Sequence, residues 1–188
     1  MLALPEKIIT NRLYLERLRY EFAEEIFFGY ASKPEATRFV SWPTHKSIND
    51  TRDYLDFAIR AWERGTDYSY AIRMTGSNRF MGSIGCINNN GNVQFGYILN
   101  PVFWNQGFAT EASRQFLFNL KRASNVHRIW TFTDVANVAS QRVLLKNGLV
   151  EETRKQAWYR FINQGDIHRD CVVFKMPDEF LSINLVSK

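Results

Sequence analysis

The feature that most constrains this chain is a change of hydrophobic pattern near its middle. Three short strands are predicted in quick succession, over residues 68–74, 80–87 and 93–99. The last two are separated by Asn90-Gly91, a pair that favours a tight hairpin because both turn positions need positive φ. A helix over 108–122 and a strand over 126–133 follow, and this β-α-β order predicts a parallel pair joined by a right-handed crossover.

The rest of the chain extends the same sheet and covers it. Further strands are predicted over 8–17, 149–161 and 167–175, and further helices over 20–30, 47–64 and 137–147. The helix over 47–64 is the clearest, because Ser47 can cap its start and Gly65 follows its last residue. The predicted fold class is therefore α/β (α+β), with a mixed, partly antiparallel sheet of about seven strands and helices on both faces.

A length of 188 residues fits one domain, predicted as a core over about 8–176 with a C-terminal tail over 177–188. No apolar run reaches the roughly 20 residues of a membrane helix, and Pro5 and Glu6 stand where a signal peptide needs an apolar stretch. Cys86 and Cys171 form neither a disulfide framework nor a metal spacing. We therefore expect a cytoplasmic protein that uses no metal.

The chain is basic, with a formal net charge of +5. Such an excess can serve an anionic cofactor, an acidic substrate or nucleic acid, or only solubility. The basic residues are scattered and no RNA-recognition signature is present, so composition alone does not favour nucleic-acid binding.

The segment that carries chemical information is the strand–loop–helix passage over 93–112. The first turn of a helix leaves about four N–H groups unpaired, and together with the helix dipole they form a site for phosphate. Gly107 and Ala109 at this helix start lack bulky side chains, so the backbone can touch pyrophosphate oxygens. The passage has neither the Gly-Lys-Ser/Thr ending of a Walker loop nor the three glycines of a dinucleotide fingerprint.

Pro101 gives a second indication in the same passage. Proline cannot donate to a ladder, so strand pairing is interrupted after Asn100. If the strand splays from its parallel neighbour, the amides of Ile98 and Leu99 become free to pair with an extended, amide-bearing ligand such as pantetheine. An ordinary connection without a ligand explains the same residues, and physical reasoning leaves both readings open.

Four stretches in order give the chain a family resemblance. They are TNRLYL at 10–15, PEATRFV at 34–40 with Trp42-Pro43 and His45, GYIL at 96–99 followed by FWNQGFATEA at 103–112, and NVASQRVL at 137–144 with KNGL at 146–149. Together they resemble the GNAT superfamily of N-acetyltransferases, and within it the RimJ/RimL-like branch, over about residues 8–176. The resemblance implies acetyl-CoA as co-substrate and an amine acceptor, either a protein N-terminus, including that of a ribosomal protein, or a small amine. A homodimer is a further hypothesis.

The resemblance and the loop chemistry together give the candidate site residues. Those expected to contact acetyl-CoA are Ile98, Leu99, Trp104, Asn105, Gln106, Gly107, Phe108, Ala109, Thr110, Asn137, Ser140, Arg142 and Lys146. Those expected to act in catalysis are Gln94, Ser140, Asp170 and the backbone N–H of Ile98 as oxyanion donor. Asn137 can also serve only as a helix cap, and Arg142 and Lys146 can lie on a solvated helix face.

Three positions depart from the family pattern. Asn105 stands where the acetyl-CoA loop often has Gly, and Gln94 where this branch often has a Glu proposed as general base. Leu144 lies near the position of a Tyr that protonates the departing thiolate in many members. Two alternatives to an active enzyme therefore remain: a CoA-binding module with weak or no catalysis, and a basic ribosome- or RNA-associated protein.

Overall fold

The computed structural model describes residues 2–165 and 167–181, and within them eight strands form one sheet. Their bounds are β1 Lys7–Ile9, β2 Leu13–Arg17, β3 Asp67–Met74, β4 Phe80–Asn89, β5 Asn92–Leu99, β6 Arg128–Asp134, β7 Val150–Tyr159 and β8 Arg169–Lys175. The strand order is β1-β2-β3-β4-β5-β6-β8-β7. Among the described residues β5 and β6 pair in parallel and all other neighbours are antiparallel, so the predicted mixed sheet is confirmed.

Helices cover both faces of the sheet, as predicted. They are α1 Ala23–Ile26, α2 Pro34–Thr37, α3 Ile48–Arg64, α4 Phe108–Arg122 and α5 Val138–Lys146. The apolar side of α4 packs into the larger core cluster, which also holds Leu144 of α5. A second cluster on the other face joins α1, Leu55 and Ala58 of α3, and Phe80 of β4. The two cores are therefore separated by the sheet.

Two predicted elements are divided in the structure. The strand predicted over 8–17 is a hairpin of β1 and β2, because the Leu13 N–H donates to the Thr10 hydroxyl and the Thr10 N–H to the Leu13 carbonyl, each at 2.8 Å. This raises the strand number from about seven to eight. The helix predicted over 20–30 is a 3-10 turn, the short α1 and a π turn over Phe27–Ala31. Close packing of Gly29 against Phe80 accompanies the π turn.

The long helix α3 forms as its sequence predicts. Ser47 and Asp50 make a reciprocal capping box at its start, which pairs N–H groups that the first turn leaves free. Gly65 ends it with φ of 73°, a left-handed conformation that glycine adopts without steric cost.

The core extends past the boundaries predicted from the sequence. Leu2 and Leu181 are both buried in the larger cluster, so segments on either side of 8–176 contribute to it. Of the predicted tail, residues 182–188 lie outside the described part of the chain. None of the helices within the described ranges is long and apolar enough to span a membrane.

The sheet opens in its middle, between β5 and β6. Pairing between these strands is limited to Asn92–Gln94 with Arg128–Trp130, after which β5 stays with β4 and β6 stays with β8. The splay that the sequence left as one of two open readings is therefore present. It begins at about Phe95, well before Pro101, because β5 and β6 each follow a different neighbour. The candidate site lies at this opening between β5 and β6.

Candidate functional site

A cleft of about 1070 Å³ runs through the opening of the sheet. One half lies beside the start of α4 and α5, and its lining includes Asn105, Gly107 and Ser140. The other half lies toward α1–α3, and its lining includes Tyr30 and Trp42. The cleft thus connects both faces of the sheet through one gap.

The start of α4 presents free backbone donors to the first half. Gly107 caps the helix with φ of 81°, which favours glycine, and its carbonyl accepts the N–H of Glu111. No described residue accepts a hydrogen bond from the N–H groups of Phe108, Ala109 or Thr110. These donors and the helix dipole fit a pyrophosphate.

An ion pair between β2 and α4 holds this helix start in place. The Arg12 Nε donates to Glu111 at 2.6 Å, and the Arg12 N–H and the Thr10 hydroxyl donate to the same carboxylate at 2.7 and 2.6 Å. Burial opposes ionisation of Glu111, but these hydrogen bonds outweigh it and lower the pKa of Glu111. Glu111 therefore anchors the helix as well as favouring its dipole.

The loop before α4 is braced from within. Asn105 has φ of 60°, a left-handed conformation that asparagine tolerates, so it can replace the glycine usual in the family. The Trp104 Nε1 donates to the Leu99 carbonyl at 3.1 Å, and the Gln106 Nε2 to the Val102 carbonyl at 3.0 Å. Gln106, predicted to contact acetyl-CoA, does not line the cleft and instead supports the loop.

Strand register decides which amides of β5 face the opening. The Asn100 N–H donates to the Met81 carbonyl of β4, and alternation along the strand directs the N–H of Ile98 toward β4 as well. Odd-numbered residues of this segment face the other way, because the Gly91 carbonyl, just before β5, accepts the backbone N–H of His127 on the β6 side. The N–H groups of Tyr97 and Leu99 therefore face the gap, and the role of oxyanion donor that we predicted for Ile98 does not fit its position.

Helix α5 forms the far wall of the first half. The Asn137 side chain accepts the Ser140 N–H at 3.2 Å, so it caps the helix, and its residue also lines the cleft. Arg142 and Lys146 are exposed and line the same wall one turn apart, where they can meet a phosphate group. Leu144 is buried in the larger core, as expected of a residue that supplies no proton.

A side-chain pair crosses the opening near its narrow end. The Tyr97 hydroxyl donates to the Ser140 Oγ at 3.3 Å, and both residues line the cleft. Burial raises the pKa of Tyr97 to about 12, an effect that the Ser140 hydrogen bond reduces. The Tyr97 side chain was missed from the sequence, although strand alternation within 93–99 was available as a signal.

Gln94 lines the half of the cleft that lies toward α1–α3. It is half-buried, sits opposite Ile87 of β4, and none of the described residues bonds its amide. Beside it, Gly85 and Gly96 face each other across β4 and β5, and no described atom lies within 4 Å above Gly96. This glycine pair makes a floor without side chains.

Asp170, predicted as a catalytic residue, does not line the cleft. Its exposed carboxylate accepts the N–H of Ala157 at 2.8 Å, where the pairing of β7 and β8 changes register. A strand-interior carboxylate had to be paired or face the cleft, and the structure shows that it is paired. Asp134 is buried and also lies outside the cleft, where it accepts the Ala136 N–H at 2.8 Å.

Three further titratable groups, on His45 and the two cysteines, are partly or fully buried. The His45 Nδ1 lies 2.7 Å from the Thr51 hydroxyl, and burial lowers its pKa, opposed by Asp50. Cys86 and Cys171 are both buried, and burial raises the pKa of each thiol, that of Cys171 to about 11. Within the described ranges no three His, Cys, Asp or Glu side chains are grouped closely enough to hold a metal ion.

The half of the cleft toward α1–α3 contains a polar cluster that sequence reasoning missed. Asp67 and Ser69 lie two residues apart on β3 and therefore share a face, and the Ser69 hydroxyl donates to the Asp67 Oδ1 at 2.6 Å. Tyr54 of α3 lies beside them. The only signal in the sequence was an acidic residue at the start of a strand, which by itself does not distinguish a site from a solvated strand end.

Comparison with known proteins places this geometry among acetyltransferases. Residues 12–150 match the family model of the acetyltransferase (GNAT) domain. The uncharacterized N-acetyltransferase p20 of Bacillus licheniformis is 25% identical over 158 residues, which cover 80% of this chain and 88% of p20.

Solved structures with low sequence identity share the fold. A GNAT-family acetyltransferase from Bacillus anthracis has a TM-score of 0.80 at 21% identity, with 92% of this chain and 99% of that one covered. RimL, the ribosomal L7/L12 alpha-N-protein acetyltransferase, was solved in complex with coenzyme A. It has a TM-score of 0.82 at 18% identity, with 90% and 97% covered.

Proposed function

Because the chain belongs to the GNAT acetyltransferase family, we propose that it transfers the acetyl group of acetyl-CoA directly to a primary amine. The observation that carries this proposal is the opening between β5 and β6. It lies between a helix start with free N–H donors and a separate half of the cleft that can hold an acceptor. Both reactants therefore have room at the same gap.

The order of features along the cleft supports one direction for acetyl-CoA. The N–H groups of Ala109 and Thr110 at the start of α4 would hold the pyrophosphate, with Arg142 and Lys146 close to other phosphate oxygens. The Leu99 N–H, nearest to that helix start, would bind an amide of the pantetheine arm. The thioester would then lie farther along β5.

This placement assigns the chemical roles to residues around the narrow end of the opening. The Tyr97 N–H would stabilise the negative charge that develops on the thioester oxygen, and the paired hydroxyls of Ser140 and Tyr97 would give a proton to the departing thiolate. Gln94 would contact the acceptor without taking its proton. A water molecule can serve as base, or an acceptor amine of low pKa needs none, as α-amines titrate near 8.

The acceptor proposed is a protein N-terminus or a small-molecule amine. RimL, with the same fold, acts on the α-amine of a ribosomal protein according to its name, which supports the first class. A homodimer and a cytoplasmic location stay predictions. In the transfer itself, the chain supplies binding, orientation and hydrogen bonds, and acetyl-CoA supplies the activated acyl group.

An acceptor panel tests the proposal. We expect release of free CoA thiol to depend on both acetyl-CoA and an amine, when N-terminal peptides and small amines are offered to the full chain. Binding of acetyl-CoA without turnover on any amine would instead identify a CoA-binding module.

Ser140→Ala should lower kcat on the best acceptor by about tenfold or more, because proton donation to a leaving group typically contributes at least that factor.

A further inference from the structure

Asp67 is a carboxylate in the wall of the cleft that the transfer reaction leaves without a role. It is half-buried at the start of β3, and its Oδ1 accepts the hydroxyl of Ser69. Among the described residues none forms an ion pair with Asp67, and none donates to its Oδ2. The cationic side chains that line the cleft, Arg38, Arg142 and Lys146, are not among its partners. An uncompensated carboxylate in a cleft requires a cation or water.

The surroundings of Asp67 suit an organic cation. Tyr54 of α3 lies beside Asp67 and Ser69, and Phe57, one turn along the same helix and 56% exposed, also lines the cleft. A carboxylate beside aromatic rings binds an ammonium or guanidinium group by charge and by attraction to the ring faces. Burial raises the pKa of Asp67 and the Ser69 hydrogen bond only partly offsets it, as expected when no positive group is near.

Strand register fixes how far Asp67 lies from the reacting groups. Asp67 is opposite Ile87, and Ile87 is opposite Gln94 of β5. These two steps between neighbouring strands separate the backbone of Asp67 from that of Gln94 by roughly 10 Å. The thioester is proposed to lie at β5, so Asp67 is too distant to contact the nitrogen that attacks it.

Between the two places the Ile87 side chain is 54% exposed and lines the cleft, and beside it the space above Gly96 is free of described atoms. Gly85 and Gly96 have no side chains, and a Cβ at Gly85 would come within 2.8 Å of the Tyr68 carbonyl oxygen, so only glycine fits there. An extended, flexible molecule can therefore lie over Gly96 and against Ile87 on its way from β5 to Asp67.

We propose that Asp67 binds a second cationic group of the acceptor, roughly 10 Å from the amine that receives the acetyl group. This inference rests on the proposed transfer reaction and specifies its acceptor class. The acceptor is a molecule with two cationic nitrogens at the ends of an extended chain. Ser69 orients the carboxylate, and Tyr54 and Phe57 cover the hydrocarbon next to the second cation.

Matched pairs of amines test the proposal on the full chain. Diaminopropane, diaminohexane and diaminooctane are each compared with the monoamine of equal chain length, with release of CoA thiol as the readout. We expect diamine and monoamine to have similar kcat/KM for the shortest pair. For the two longer pairs the diamine should exceed its monoamine by about tenfold or more, as for a hydrogen bond to a charged group.

The Asp67→Asn variant should bring the ratio of diamine to monoamine near one for the longer pairs. Asp53→Asn, an exposed carboxylate on α3, is the control and should keep the ratio of the unmodified protein. Equal loss for diamine and monoamine would give Asp67 a proton-handling or structural role and overturn the proposal. A ratio near one in the unmodified protein would also overturn it.

A binding measurement separates this inference from the transfer reaction itself. Calorimetry of diaminooctane with the CoA-loaded protein needs no turnover, and we expect heat that the Asp67→Asn variant abolishes. If that binding is found but no amine is acetylated, the transfer function fails while the cation site stands. If amines are acetylated but no binding depends on Asp67, the cation site fails alone.

Discussion

At the residue scale, Gln94 tests how the acceptor loses its proton. Its amide cannot take a proton at neutral pH, and no described residue bonds it. We expect Gln94→Ala to lower kcat/KM by less than about tenfold, or roughly 1.4 kcal/mol of transition-state stabilisation. Gln94→Glu is the matched variant that restores the carboxylate usual in the family. A loss of several hundredfold in the alanine variant would show that this amide orients the acceptor.

Glu111 makes a prediction about stability at the same scale. Its carboxylate accepts three hydrogen bonds, from Thr10 and twice from Arg12, and Glu111→Gln weakens them. We expect a loss of about 1–2 kcal/mol in the free energy of unfolding, measured by urea denaturation at neutral pH. Glu63→Gln, which removes an exposed ion pair with Arg17, is the control and should change stability by less than about 0.5 kcal/mol.

The pH dependence of this effect has a definite sign. The pKa of Glu111 is lower in the folded protein than its ordinary value of 4.5, so its stabilisation is present above 4.5. That stabilisation is lost as pH falls through the folded pKa. The difference in unfolding free energy between the native chain and Glu111→Gln should therefore shrink as pH falls below about 4.5. A difference that grows in acid would contradict the assignment.

At the element scale, the start of α4 is the part of the site that can be tested by charge. Ala109→Glu places a carboxylate where phosphate oxygens are proposed to bind, and we expect it to weaken acetyl-CoA binding by at least about a hundredfold. Asn119→Glu adds the same charge near the other end of α4, away from the cleft, and should bind normally. Calorimetry measures both. Gly107 is a poorer position for the test, since its φ of 81° would strain any side chain.

Elements with strong local signals were predictable from the sequence. The hairpin at Asn90-Gly91, helix α3 with its cap at Ser47, and the parallel crossover through α4 all follow from turn chemistry and periodicity. The elements whose prediction was wrong depend on tertiary contacts. The segment around Gly29 forms a π turn where it packs closely against Phe80, a contact distant in sequence.

At the scale of the whole molecule, the site depends on register that no local pattern gives. Pro101 indicated that β5 could splay, but only pairing with β4 determines that Tyr97 rather than Ile98 turns its N–H to the gap. In the same way, Asp67 enters the cleft because β3 pairs with β4 so that Asp67 lies opposite Ile87, which also lines the cleft. The loop before α4 could be singled out from the sequence because its residues are contiguous in the chain, and all of those predicted there except Gln106 line the cleft.

The architecture also predicts the order of chemical events. The cleft reaches both faces of the sheet, so acetyl-CoA along α4 and α5 and an acceptor beside α1–α3 can be bound together. Neither thiol suits a covalent relay: Cys171 is outside the cleft, and Cys86 lines it but is buried, with its pKa raised by burial and by the charge of Asp67. We therefore expect direct transfer in a ternary complex. Initial-rate plots against acetyl-CoA at several acceptor concentrations should intersect.

The double variant Cys86→Ala/Cys171→Ala decides between this route and a relay through sulfur. It should retain most of the turnover, with a stability loss of about 1–3 kcal/mol because two buried side chains are shortened. Measuring turnover well below the unfolding temperature separates the two effects. Parallel initial-rate lines, together with radiolabelled acetyl trapped on either cysteine of the unmodified chain, would replace direct transfer by a ping-pong mechanism. Since a buried thiol with a raised pKa holds little thiolate at neutral pH, we expect no trapped label.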